Sequence, residues 1–152
     1  MEPTHAAKTW SVRATSIGSQ PLAIRCNERP FDQGAPGLLG APTPVEYLLI
    51  SVAGCFALSC RMALAQQHRS VEWFDVVVRG TKAPDAPSRL QSIEIEVVFP
   101  AGLAAEAESI VQHAKRLCTV TNTLSRSSPP QLQVRTAQAD LIAHLLGRPE
   151  VK

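Results

Sequence analysis

The sequence contains no Cys-x-x-Cys pair, no run of lysine or arginine interleaved with aromatics, and no uncharged stretch long enough to span a bilayer. Each absence removes a class of function. Four cysteines, Cys26, Cys55, Cys60 and Cys118, are too few and too unevenly spaced for a secreted disulfide framework or a zinc site, so reduced thiols are expected. With 15 Lys+Arg against 13 Asp+Glu the charge is nearly balanced, and no nucleic-acid surface is expected. The longest uncharged stretch, Tyr47 to Cys60, has 14 residues, short of the roughly 20 that cross a membrane. Met1 to Trp10 has no apolar core of the kind a secretory signal carries, so a cytoplasmic protein with no membrane partner is expected. The four histidines, His5, His68, His113 and His144, never stand at i, i+4, which argues against a metal site. Phosphate-binding, dinucleotide-binding and hydrolase-elbow motifs are also missing.

What is present is a chain that is 45% hydrophobic over 152 residues, enough for one domain with a sizeable core. Trp10 to Ile17 and Leu22 to Cys26 read as a hairpin around Gly18-Ser19-Gln20-Pro21. Asn27 to Pro42, rich in Gly and Pro, reads as a loop with room for one short strand. Thr43-Pro44-Val45-Glu46 is a helix start: Thr43 can cap, Pro44 suits the first helical position, and Glu46 can complete a capping box. The helix should run to about Gln67 or His68. Because it is apolar nearly all round, it should be wrapped by protein on several sides. Val71 to Gly80 and Ser92 to Phe99 read as antiparallel strands, and Leu103 to Cys118 as an amphipathic helix with acids leading and bases trailing. Leu132 to Thr136 is a candidate last strand, and Leu141 to Gly147 a short amphipathic tail helix.

A cysteine inside an apolar helix is ordinarily packing material. Cys55, however, stands in Ala53-Gly54-Cys55-Phe56-Ala57 behind the start Thr43-Pro44-Val45-Glu46-Tyr47-Leu48-Leu49. Then, 63 residues on, comes Cys118-Thr119-Val120-Thr121-Asn122-Thr123-Leu124. These segments resemble the family of osmotically inducible protein C and the organic hydroperoxide resistance proteins, over roughly Trp10 to Thr136. The resemblance implies an α+β fold with antiparallel sheets around a long buried central helix, in an intertwined homodimer with reactive sites at the interface. It further implies that Cys55 is attacked by an organic hydroperoxide and that Cys118 resolves the sulfenic acid as a disulfide. A dithiol or a lipoylated protein then restores both thiols, and neither metal nor flavin is needed. In the hydroperoxide branch an Arg near the hairpin turn, held by a Glu ten residues before the first Cys, activates it. Here Val45 stands at that distance and Glu46 at nine, the turn has no Arg, and Thr119 replaces a Pro.

The chemistry is consistent with that implication, since a thiolate opening an O–O bond becomes a sulfenic acid that a second thiol must reach before irreversible oxidation. Cys55 lies about ten residues into its helix, roughly 15 Å along the axis, so the N-terminal dipole does not activate it and a cation is required from elsewhere. Arg13, Arg25 and Arg29 are the candidates. Glu46 is a candidate positioning residue beside its capping role, and Phe56 and Leu49 are candidate apolar walls. Cys60 is about 140° round the helix from Cys55 and reads as core, as does Cys26 on its strand, and His113 as a surface or satisfied histidine. The alternative to a peroxidase is a dimer of the same fold that binds a small hydrophobic ligand and performs little peroxide chemistry.

Overall fold

The computed structural model describes residues 7–30, 41–127 and 129–137. Six strands form one sheet: β1 (Thr9–Ile17), β2 (Ala23–Cys26), β3 (Arg29–Pro30), β4 (Trp73–Lys82), β5 (Leu90–Pro100) and β6 (Gln131–Ala137), in the order β3-β2-β1-β4-β5-β6. All neighbours are antiparallel except β5 and β6. The sheet is therefore mixed, which corrects the expectation of purely antiparallel sheets. Alternation of apolar and polar residues fixes which face of a strand is buried but not its direction, and here the crossover from β5 through helices back to β6 makes that pair parallel.

The helices are α1 (Pro44–Gln66), α2 (Ala107–Leu117) and α3 (Thr119–Leu124). α1 starts where the capping signals place it. Thr43 is extended and its hydroxyl accepts from the Glu46 N–H, while the Glu46 carboxylate accepts from the Thr43 N–H, a reciprocal capping box. Below α1, one face of the sheet carries Val12, Ala14, Phe74, Val76, Val78, Ile93, Ile95, Val97 and Phe99, which join Leu49, Val52, Phe56 and Ala57 in a single core. Gly80 makes the contact close: a Cβ there would stand 3.1 Å from Leu49 Cδ1. Leu49 is thus a core residue against β4. Ile110, Val111 and Ala114 bring α2 onto the same core, and Arg69 ties the end of α1 to Glu106 at 2.6 Å.

One further expectation changes: Leu103 to Cys118 is not one helix, since a 3₁₀ turn over Ala101–Leu103 precedes α2. This chain alone leaves one stripe of α1 uncovered. Leu48, Leu58 and Met62 are exposed, at 39%, 50% and 50%, and Cys55 is partly exposed on the same stripe. α1 is long and apolar enough to cross a bilayer, yet half of its most apolar stretch is buried inside the protein and Glu46 is locked into the cap, so within this fold it serves as a core helix. The tail helix expected from Leu141 lies outside the described residues, as does the loop over 31–40.

Candidate active site

The centre of the site is a pair of thiols delivered by α1 and by the break between α2 and α3. Cys55 sits in the middle of α1, where its carbonyl oxygen accepts the Ser59 hydroxyl at 2.9 Å. Cys118 is the residue at which α2 stops. Its N–H still bonds to Ala114 O at 2.9 Å, but its backbone turns extended (φ −78°, ψ 103°) and its carbonyl accepts the Asn122 N–H at 3.1 Å, opening α3. One residue therefore closes one helix and begins the next, and the kink turns its side chain into the protein. Cys118 has no exposed surface, and its thiol lies near enough to Cys55 to interact with it electrostatically. The structure thus brings together the two thiols singled out in the sequence. All four cysteines are free thiols.

The electrostatics of the pair are asymmetric. Burial pushes the Cys118 thiol above its ordinary range, the Thr121 hydroxyl and N–H pull it back, and the neighbouring Cys55 raises it again. Cys60, fully buried on α1, is pushed far up by burial and also by the nearby Cys118. Cys26, at the end of β2, is raised by burial and by Glu46, against a smaller opposing effect of Arg29.

Glu46 is not brought to the thiols. It precedes Cys55 by nine residues, half a turn round α1 and about 13 Å along its axis. Its Oε2 completes the cap and its Oε1 accepts from Asn27 Nδ2 at 2.7 Å. Asn27 and Glu28, both at positive φ (49° and 63°), form the turn between β2 and β3. Asn27 also accepts the Ser11 N–H on its side-chain oxygen at 3.0 Å. A neutral amide thus partners the carboxylate. Arg13 bonds to Asp75 (2.8 Å) and Glu28 (3.2 Å), Arg25 to the Glu28 carbonyl (3.2 Å), and Arg29 stands beside Cys26. Arg61 also has partners, in Ser16 and the Gln20 carbonyl.

A cleft of about 100 Å³, lined by neither cysteine, lies between α1, the end of α2, α3 and the last two strands. Phe56, Ile95 and Leu132 give it an apolar lining, with Lys115 and Thr121 at polar positions. Phe56 is therefore a wall of this cleft, whereas Leu49 is not. Among the described residues no group of three or more His, Cys, Asp or Glu is placed to hold a metal ion. Sequence reasoning missed Asn27 and Thr121. The signal for Asn27 was its turn position between strands, and for Thr121 its place three residues after Cys118.

The profile of the OsmC-like protein family matches residues 35–133, well over half the chain and both thiols. The chain belongs to the OsmC-like family. Solved structures with the OsmC-like fold agree. An OsmC-like hydroperoxide resistance protein from Jannaschia sp. CCS1 is 21% identical, with a TM-score of 0.57 over 82% of this chain and 90% of its own. The organic hydroperoxide resistance protein OhrB of Bacillus subtilis is 15% identical, with a TM-score of 0.56 over 86% and 98%. An OsmC-like protein from Mycoplasma pneumoniae is 15% identical, with a TM-score of 0.57 over 88% and 97%. At these identities the likeness establishes the fold. No curated protein matches by sequence.

Proposed function

We propose that this chain is a thiol-dependent peroxidase that reduces organic hydroperoxides in oxidative-stress defence. The observation that carries this reading is the contact between a partly exposed Cys55 and a wholly buried Cys118. The Cys55 thiolate attacks the hydroperoxide, an S–O bond forms, the O–O bond breaks, and its electron pair leaves with the alkoxide, which takes up a proton. Cys118 then attacks the sulfenic sulfur, and hydroxide leaves as water once protonated. The resulting disulfide returns to two thiols by exchange with a dithiol or a lipoylated protein, which is oxidised in turn. Glu46 acts indirectly, by fixing the start of the helix that carries Cys55. A thiol-reducing compartment such as the cytoplasm suits this cycle.

The working unit in this proposal is a homodimer. Leu48, Ser51, Cys55, Leu58 and Met62 recur every three or four residues along one stripe of α1, the spacing of a helix seam. A second copy of this chain covers that stripe and supplies the protein surface that an all-round apolar helix requires.

A second reading, a dimer that binds a small hydrophobic ligand, is favoured by the engagement of Arg13, Arg25 and Arg61 elsewhere and by the apolar cleft beside Phe56. Steady-state consumption of cumene hydroperoxide with dihydrolipoamide separates the two. The peroxidase reading predicts turnover in the wild type, none in Cys55→Ser, and about one turnover in Cys118→Ser. Wild-type protein that consumes no alkyl hydroperoxide with any dithiol offered would leave the ligand-binding reading.

A further inference from the structure

The cleft between α1, the end of α2, α3 and the last two strands has two chemically different ends. Its floor is apolar, with Phe56 and Ile95 buried and Leu132 beside them, whereas Lys115 and Asn122 stand exposed at its mouth. None of these residues belongs to the α1 stripe assigned to a second copy, so the proposed seam runs elsewhere. The surroundings of the mouth are basic. From Ser109 to Ala139 the sequence has no Asp or Glu, while Lys115, Arg116, Arg126 and Arg135 are cationic. Arg135 is paired with Glu96 at 3.4 Å, but Lys115 takes part in no ion pair among the described residues. The two hydroxyls that line the cleft have committed their protons: Thr121 donates to the Cys118 carbonyl oxygen at 3.2 Å and Ser125 to the Asn122 carbonyl oxygen at 2.8 Å. Asn122 spends one of its two side-chain N–H groups on the Arg116 carbonyl oxygen at 3.2 Å. The donors left for a ligand are the Lys115 ammonium and the second Asn122 N–H, a set that suits an anion.

We infer that the cleft is a binding site for a short aliphatic carboxylate, with its chain on Phe56, Ile95 and Leu132 and its carboxylate at the mouth on the Lys115 ammonium. A cavity of about 150 Å³ takes a benzene ring, so one of about 100 Å³ takes a chain of about four carbons. The carboxylate keeps part of its water at the mouth, so no charge is buried unpaired, and the chain gains by leaving water. A neutral alcohol of the same length fills the same floor without the charge pairing. The site asks nothing of the thiols and stands whether or not the chain reduces peroxides, since neither cysteine lines it.

Titration of the full, reduced chain with pentanoate, followed through backbone amide chemical shifts, tests this. Pentanoate should bind saturably, with shifts centred on Thr121, Asn122 and Leu132, and 1-pentanol should bind about fivefold more weakly, the upper worth of a solvent-exposed ion pair. Lys115→Gln should lower pentanoate affinity to that of pentanol while leaving pentanol binding unchanged, and Lys115→Arg should hold it within about twofold of wild type. High salt should narrow the difference between the two ligands. Leu132→Trp, which fills the cleft from an edge strand, should abolish binding of both, with amide signals away from the cleft unmoved to show that the fold is kept. Equal affinity for pentanoate and pentanol, wild-type pentanoate binding in Lys115→Gln, or binding that persists in Leu132→Trp would overturn the inference. Shifts scattered over the surface, or no saturation at tens of millimolar, would do the same.

Discussion

Cys60 and Cys118 are both wholly buried and both titrate above the ordinary cysteine value, chiefly because burial disfavours a thiolate. That has a sign for stability. In the unfolded chain each thiol releases its proton near pH 9, whereas the folded chain holds it to higher pH, so the folded state binds more protons across that window. The stabilisation is complete below about pH 9 and is lost as pH rises above it, at up to about 1.4 kcal/mol per pH unit for each thiol. Urea unfolding at pH 7, 9 and 10 should show this decline. Cys60→Ala should make it shallower while costing about 1 kcal/mol at pH 7 through lost packing. An unchanged slope in Cys60→Ala would mean that this thiol is not held protonated by the fold. At this scale the sequence identified Cys55 and Cys118 only through resemblance, because 63 intervening residues carry no local periodicity linking them. Asn27 was missed because its partner, the Glu46 carboxylate, meets it only in the folded chain, and Thr121 because its bond to the Cys118 carbonyl needs the short helix that the sequence did not announce.

α1 shows what a single element declares and what it leaves open. Its start could be read because Thr43, Pro44 and Glu46 act locally. Its all-round apolar character announced burial but not by what, and one chain leaves Leu48, Leu58 and Met62 exposed. α3 escaped notice because Thr119-Val120-Thr121 is rich in β-branched residues that favour strands, and only the break at Cys118 sets a short helix there. The stripe itself yields an expected outcome. Replacing Leu58 and Met62 together by Glu places two charges on the proposed seam, and sedimentation should shift from dimer to folded monomer, with far-UV circular dichroism unchanged. A wild type that already sediments as a monomer at micromolar concentration would refute the seam, as would a double variant that remains dimeric.

Across the whole molecule, the β4–β5 hairpin and the return through α2 convert a long sequence separation into a thiol contact. α2 packs its Ile110, Val111 and Ala114 face on the core that α1 shares, and its last turn ends beside the middle of α1. The hairpins and the order of elements were legible from alternation and turn residues, whereas the parallel seat of β6 was not, because it depends on the path of the crossover. In the proposed function this topology lets Cys118 capture an oxidised Cys55. The most direct measurement is peptide mass mapping of the reduced protein after one equivalent of cumene hydroperoxide. The account predicts a dominant Cys55–Cys118 disulfide, with Cys26 and Cys60 remaining as thiols. A dominant bridge through Cys60 or Cys26, or four thiols still free with the peroxide unspent, would contradict it.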